Sequence, residues 1–207
     1  MFSPSITPSM ETRNITNKKI LVTGGAGFLG SHVVEALIAH GVPQENIEVP
    51  RSRDCDLRIY ENAERVMRGK DIVIHLAAQV GGITYNKSHP ATIFDHNATI
   101  NMNLIRAAHQ AKVEKFIMAG SVCEYPKHAP IPFKESDVWN GYPEESNGAY
   151  GLSKKIALVQ GQAYRQEHGL NYIHLLIANM YGPRDNTNPE TSHVIPALIK
   201  KVHDRVT

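Results

Sequence analysis

The stretch Lys19-Ile20-Leu21-Val22-Thr23-Gly24-Gly25-Ala26-Gly27-Phe28-Leu29-Gly30 sets a short apolar run directly against glycines at 24, 27 and 30. Residues 28–40 follow with apolar side chains at helical spacing, Leu29, Val33, Val34, Leu37 and Ile38. Strand, tight turn and helix is the expected order. In such a turn the first glycine permits the sharp reversal and the second lets a pyrophosphate approach the backbone. The third lets helix and strand pack closely, while free amides at the helix start face the anion. A tight turn with no ligand is the alternative that glycine spacing alone leaves open, and the flanking strand and helix weigh against it.

Outward from this unit the alternation continues. Residues 46–49, 71–76, 115–119 and 171–177 are expected as strands, and residues 60–68, 91–111 and 150–168 as helices. The strands are continuously apolar rather than alternating, which indicates a parallel sheet covered on both faces. The expected fold class is therefore α/β, a doubly wound parallel sheet of the Rossmann type. Two long loops, residues 79–90 and 121–147, each follow the carboxyl end of an expected strand, the edge at which open α/β sheets bind ligands.

Composition narrows the function classes. At 207 residues the chain amounts to about one and a half ordinary domains. With 42% hydrophobic and 20% charged residues it has the make-up of a globular protein. Twenty-two basic residues against 20 acidic leave a net charge of +2, and the charges are interspersed. No basic stripe argues for nucleic acid or an anionic membrane, so a small molecule is the expected partner. Cys55 and Cys123 are too few for a disulfide framework and lack the paired spacing of a zinc site, and no histidine pair has HxxxH spacing. No metal is expected, and a reducing, cytoplasmic compartment is. No window approaches eighteen consecutive apolar residues, and residues 1–17 lack the apolar middle of a signal peptide. They are expected as a disordered leader.

Two further groups bear on chemistry. The second expected strand ends Val49-Pro50-Arg51-Ser52-Arg53, where an NAD-binding chain would place a carboxylate for the ribose 2′-hydroxyl. Two guanidiniums suit a 2′-phosphate instead, so NADP(H) is expected ahead of NAD; a solvated pair of arginines is the alternative the residues leave open. Tyr150 and Lys154 lie four apart at the start of an amphipathic helix and project from one face. An ammonium beside a phenol is expected to lower its pKa from about 10 and make the tyrosine an acid or base near neutrality. Ser121, immediately after the strand at 115–119, is placed to share a substrate oxygen with it.

Val22-Thr23-Gly24-Gly25-Ala26-Gly27-Phe28-Leu29-Gly30, His75-Leu76-Ala77-Ala78, Ser121 and Tyr150-Gly151-Leu152-Ser153-Lys154 resemble the extended short-chain dehydrogenase/reductases. Within that family, Ala78-Gln79-Val80-Gly81-Gly82-Ile83, Gly120-Ser121-Val122-Cys123-Glu124-Tyr125-Pro126-Lys127, Asn179-Met180-Tyr181-Gly182-Pro183-Arg184-Asp185-Asn186 and Ser192-His193-Val194-Ile195-Pro196-Ala197-Leu198 closely resemble the GDP-L-fucose synthases, the GDP-4-keto-6-deoxy-D-mannose epimerase/reductases. The resemblance implies a nucleotide-sugar epimerase/reductase. It implies dinucleotide binding by Gly24, Gly27, Phe28, Leu29, Gly30, Ala77 and Ala78, while the expectation of a 2′-phosphate rests on Arg51 and Arg53 alone. Ser121, Tyr150 and Lys154 become the proton-transfer set, the last two also touching the nicotinamide ribose.

A 4-keto sugar has acidic hydrogens at C3 and C5, and inversion needs one group to remove a proton and another to return it to the opposite face. Cys123 matches the family's thiol base and His193 its acid. Val80, Gly81, Asn179 and Lys201 fall where the family meets the GDP-sugar, and a homodimer is implied. In place of the basic residue often found within the family's glycine turn stands Ala26. Family members continue for roughly another hundred residues, so residues 18–178 are expected as the NAD(P)-binding domain and 179–207 as the opening of a truncated substrate-binding domain. Two other functions fit the same residues: a GDP-sugar 3,5-epimerase that recycles tightly bound NAD(P), and a short form that binds dinucleotide without turnover.

Overall fold

The β-branched Ile20, Val22 and Thr23 favour extended backbone, and every residue of strand β1 (Ile20–Thr23) is buried. β1 pairs in parallel with β2 (Ile47–Glu48) on one side and β3 (Ile72–His75) on the other, with Ile20 opposite both Ile47 and Ile72. β4 (Lys115–Ala119) and β5 (Tyr172–Leu175) extend the sheet beyond β3, in the order β2-β1-β3-β4-β5. The computed structural model describes residues 14–188 and 191–206. After β2 the chain crosses to the far side of β1, so the reversal of winding lies between the carboxyl ends of β1 and β3.

Alternate strand side chains feed two cores. Leu21, Val73, Phe116, Met118 and Tyr172 pack against α2 (Tyr60–Met67), α4 (Pro90–Gln110) and α5 (Gly148–His168), through Ala63, Met67, Leu104, Ile105 and Ala157. Ile20 and Val22, with Ile72 and Ile74, face Val33, Val34 and Leu37 of α1 (Phe28–Ala39). The doubly wound α/β expectation holds. α4 starts on Pro90, whose fixed φ suits a first helical turn, and α5 stops at Gly169 in the left-handed conformation (φ +70°).

The differences from expectation are local. The second strand shrinks from four residues to Ile47–Glu48, and the fifth to Tyr172–Leu175. The loop at 79–90 contains a short helix, α3 (Ile83–Ser88), and the loop at 121–147 contains two 3-10 turns, Val122–Glu124 and Glu135–Trp139. Residues 191–206 end in α6 (Val194–Val206), of which only Pro196 is buried. Residues 1–13 of the expected leader lie outside the described residues; Ile15 packs on the second core, and Lys18 pairs with Glu114 at 2.5 Å. Among the described residues no helix is long and apolar enough to cross a membrane, and no group of three or more His, Cys, Asp or Glu side chains is placed to hold a metal ion.

Candidate active site

The glycine turn sits at the reversal of winding, and the structure shows why it has no side chains. Gly24 adopts φ +70°, and a Cβ there would lie 2.7 Å from the Ala77 nitrogen. A Cβ on Gly30 would lie 2.1 Å from the Gly24 carbonyl oxygen. The turn therefore presses directly on the start of α1 and on the strand exit at Ala77. Gly27 caps α1 without a side-chain bond, and the first turn of the helix carries no acidic residue, leaving its amides facing outward at an exposed Gly27. Phe28 and Leu29 are half-buried behind it. This cradle fits a dinucleotide pyrophosphate. Arg51 and Arg53 are exposed beyond β2; the Arg51 carbonyl accepts the amides of Asp54 and Cys55 at 3.0 and 2.8 Å, and Arg53 Nε meets Asp54 at 3.0 Å.

Beneath the cradle runs a chain of buried polar groups. Asn101 Nδ2 donates to the Ser153 carbonyl at 3.1 Å, which turns its Oδ1 toward His75 Nε2 at 2.8 Å. The ring must then carry its proton on Nε2 and accept from Thr23 Oγ1 at Nδ1, 2.6 Å away. Thr23 Oγ1 in turn accepts the Ala77 amide at 3.3 Å. Burial and the Lys154 ammonium push His75 down to about 3, so the imidazole is neutral. Two residues beyond Ala77, Asn97 clamps both backbone groups of Gln79 at 2.7 and 2.9 Å, fixing the chain that leads from Ala78 to Val80 and Gly81. Val80 is exposed, whereas Gly81 is buried against the Tyr85 ring.

The third wall stands at the end of β4. Ser121 opens a 3-10 turn: its Oγ accepts the Cys123 amide at 3.1 Å, and its own amide donates to Glu124 at 2.7 Å. α5 crosses this turn at Gly151, where a Cβ would lie 2.2 Å from the Cys123 carbonyl oxygen. Cys123 thus stands beside Tyr150. Lys154 is almost fully buried and donates to the Ala119 carbonyl at 2.8 Å, with its Nζ 5.7 Å from the Tyr150 ring centre. Burial pushes Lys154 down to about 8 against the opposing pull of Glu124. Burial, with the charges of Cys123 and Glu124, pushes Tyr150 up. The expectation of a lowered phenol is therefore corrected: the phenol is buried, and desolvation, the largest cause, raises it.

The structure brings together Ser121, Cys123, Tyr150 and Lys154 on one wall, and Gly24, Gly30, Ala77 and Ala78 on the adjoining one. It does not bring His193 there. That side chain is exposed ahead of α6, its carbonyl accepting the Ala197 amide at 3.1 Å, and among the described residues no bond joins it to Cys123 or Tyr150. Asn179 and Lys201 are likewise exposed. Thr23, Asn97, Asn101, Glu124 and His174 escaped the sequence reading. Glu124 alone had a signal, since Ser121-Val122-Cys123-Glu124 has the S-x-x-E spacing of a capping box.

Comparison with known proteins matches the NAD dependent epimerase/dehydratase family over residues 20–206. A probable GDP-L-fucose synthase of Drosophila melanogaster is 38% identical over 193 residues, which cover 92% of this chain and 60% of that protein. A GDP-L-fucose synthetase from Naegleria fowleri, solved bound to NADP, superimposes with a TM-score of 0.78 at 29% identity, covering 91% of this chain and 62% of that one. A GDP-D-glycero-L-gluco-heptose synthase from Campylobacter jejuni, solved in the presence of NADPH, gives 0.85 at 28% identity over 91% of this chain and 55% of the other. The chain spans about 60% of the length of the curated relatives it matches.

Proposed function

The chain belongs to the NAD dependent epimerase/dehydratase family, and from that premise we propose that it acts as an NADPH-dependent epimerase/reductase converting GDP-4-keto-6-deoxy-D-mannose to GDP-L-fucose. The observation that carries this reading is the placing of Cys123, Tyr150 and Lys154 at one point: the Cys123 carbonyl lies against Gly151 and the Lys154 ammonium is fixed on Ala119. An epimerising thiol and a reducing Tyr/Lys pair then share a single substrate position.

Gly24, Gly27, Phe28, Leu29 and Gly30 hold the pyrophosphate, Arg51 and Arg53 the 2′-phosphate, and Ala77 and Ala78 line the floor. NADPH, when bound, supplies hydride to C4 of the sugar. Cys123 removes an acidic proton at C3 and then at C5, and each time His193 donates a proton of its own to the opposite face, which requires α6 to bring it over the sugar. Tyr150 protonates the oxygen at C4, Ser121 hydrogen-bonds that oxygen, and Lys154 supports the phenol and the nicotinamide ribose. Val80, Gly81, Asn179 and Lys201 contact the GDP-sugar. On this reading residues 18–178 form the dinucleotide-binding part and 179–207 open the substrate-binding part. An open apolar groove of about 670 Å³ between α4 and α5, lined by Phe94, Met102, Leu152, Ile156 and Val159, supports a homodimer formed through those helices. Two free cysteines fit the expected cytoplasmic setting.

The test is a coupled assay with GDP-4-keto-6-deoxy-D-mannose, in which one NADPH should be oxidised per sugar. Epimerisation without NADPH oxidation would favour the epimerase that recycles its cofactor. NADPH binding with neither reaction would leave only a dinucleotide-binding role.

A further inference from the structure

Glu124 has no part in the reaction just described, yet its carboxylate is fully buried within the site. His174 of β5 holds it, with Nε2 3.0 Å from both carboxylate oxygens, and Tyr172 Oη lies 2.9 Å from the other ring nitrogen. Glu124 Oε1 also accepts the Ser121 amide at 2.7 Å. The sequence leaves room for this: a Cβ on Gly120 would lie 2.3 Å from His174 Nε2 and 2.6 Å from Glu124 Oε1. One carboxylate therefore fixes the Ser121 amide, and the Ser121 hydroxyl fixes the Cys123 amide at 3.1 Å.

The charge matters as much as the bonds, because a buried carboxylate without counter-charges is strongly unfavourable. Facing it are His174 and Tyr172 from β5, Tyr150, Lys154 and Lys155 from α5, and Tyr125 and Cys123 on its own turn. Its field opposes the burial that lowers Lys154 and adds to the burial that raises Tyr150.

We propose that Glu124, seated by His174, is a positioning residue of the active site: it sets the Ser121–Cys123 turn against α5 and places a buried carboxylate at the Tyr150–Lys154 end of that helix. Its effect on turnover rests on the proposed reaction, whereas its effect on Cys123 rests on the turn alone.

Two variants separate the parts of this role. Glu124→Gln keeps the size and an oxygen for the Ser121 amide but removes the charge. Glu124→Asp keeps the charge but withdraws it by about 1.5 Å, one C–C bond. The first measurement is the rate of Cys123 alkylation by iodoacetamide at fixed pH, followed by peptide mass, with buried Cys55 as internal comparison. In Glu124→Asp, which withdraws the acceptor from the Ser121 amide, the rate should change several-fold as the turn shifts, and in Glu124→Gln, which keeps an acceptor there, it should stay near native. The second is the pH profile of NADPH oxidation with the GDP-4-keto-6-deoxy sugar. Its alkaline limb should move to lower pH in Glu124→Gln. In Glu124→Asp the limb should hold while kcat drops about 10–100-fold through misplacement, with the KM for NADPH unchanged. An unmoved limb in Glu124→Gln together with a native alkylation rate in Glu124→Asp, even with a lower Tm, would reduce Glu124 to a brace of the fold and overturn the proposal. Should Glu124→Gln not fold, Glu124→Asp carries the test, and wild-type kcat there overturns it. If the native chain oxidises no NADPH, the proposed function fails, and the alkylation rates still decide the role of Glu124.

Discussion

Replacing Gly24 by alanine tests the geometry that joins the cofactor cradle to the sheet. Three glycines share nearly the same left-handed backbone, with φ +70° at Gly24, +67° at Gly69 and +70° at Gly169, yet nothing lies within 4 Å of a Cβ at the last two. Gly69→Ala and Gly169→Ala therefore carry only the left-handed strain of an L residue, about 1–2 kcal/mol. At Gly24 the added carbon would lie 2.7 Å from Ala77 N and 2.9 Å from both Ala77 Cα and the Leu76 carbonyl carbon. These are backbone atoms held by the Thr23 carbonyl and hydroxyl, so they cannot swing aside as a side chain would. Overpacking of this kind adds about 1–3 kcal/mol. For a chain of this size that excess corresponds to a further fall in Tm of roughly 2–12 °C below the Gly69 variant. Displacing Ala77 also moves the floor of the cradle, so NADPH affinity should fall in Gly24→Ala and stay native in Gly69→Ala. Thermal melts of the three variants and fluorescence titration with NADPH read both effects. Equal Tm losses at Gly24 and Gly69, with equal NADPH affinity, would refute the close approach of the turn to Ala77.

Tyr150→Phe should lower NADPH oxidation by about 10²–10⁴-fold with NADPH binding retained; native turnover would remove Tyr150 from the reaction. Cys123→Ser should suppress solvent deuterium incorporation at C3 and C5 of the sugar, read by mass spectrometry, and native exchange would exclude the thiol as base. Arg53→Ala should weaken NADPH by about tenfold or more relative to NADH, the loss of one charge-assisted phosphate contact; equal losses in the two titrations would count against a 2′-phosphate site. Lys154 stands at about 8 in the fold against 10.5 for a solvated lysine, so between those values the unfolded chain binds more protons and stability rises with pH. Relative to Lys154→Met, the native protein should gain on the order of 3 kcal/mol from pH 8 to 10.5, and urea titrations showing a flat difference would contradict this.

The elements legible in the sequence are those whose own residues determine them. KILVT followed by three spaced glycines has few alternatives, because Gly24 and Gly30 meet backbone rather than side chains, and that need is written locally. The helices α4 and α5 were legible for the same reason, from the apolar pattern of their own residues. Asn97 and Asn101 were not, since a polar residue on an apolar helix face acquires meaning only from what the fold sets opposite it, here Gln79 and His75. Glu124 and His174 are 50 residues apart and meet only because β4 and β5 are neighbours in register. The shortened second strand has a physical cause of the same kind: Glu48 is the last residue to pair with β1, and Pro50 offers no amide to continue the ladder.

Tyr150 shows most clearly what spacing cannot reveal. Four residues of separation do place Lys154 beside the phenol, and in water that would favour phenolate. In the fold both groups leave water together, and desolvation disfavours the phenolate and the ammonium alike, raising one pKa while lowering the other. Glu124 then acts in one direction on both, opposing deprotonation of the phenol and of the lysine. Below about pH 8 the pair stands as phenol and ammonium, with a proton on each. That is the state able to give a proton to a nascent sugar oxygen, whereas alcohol oxidation would need the phenolate. On the proposed reaction the protonated pair is the donor state that reduction requires at neutral pH. Desolvation is its main cause, and a buried carboxylate that the Tyr-Lys motif does not contain adds to it.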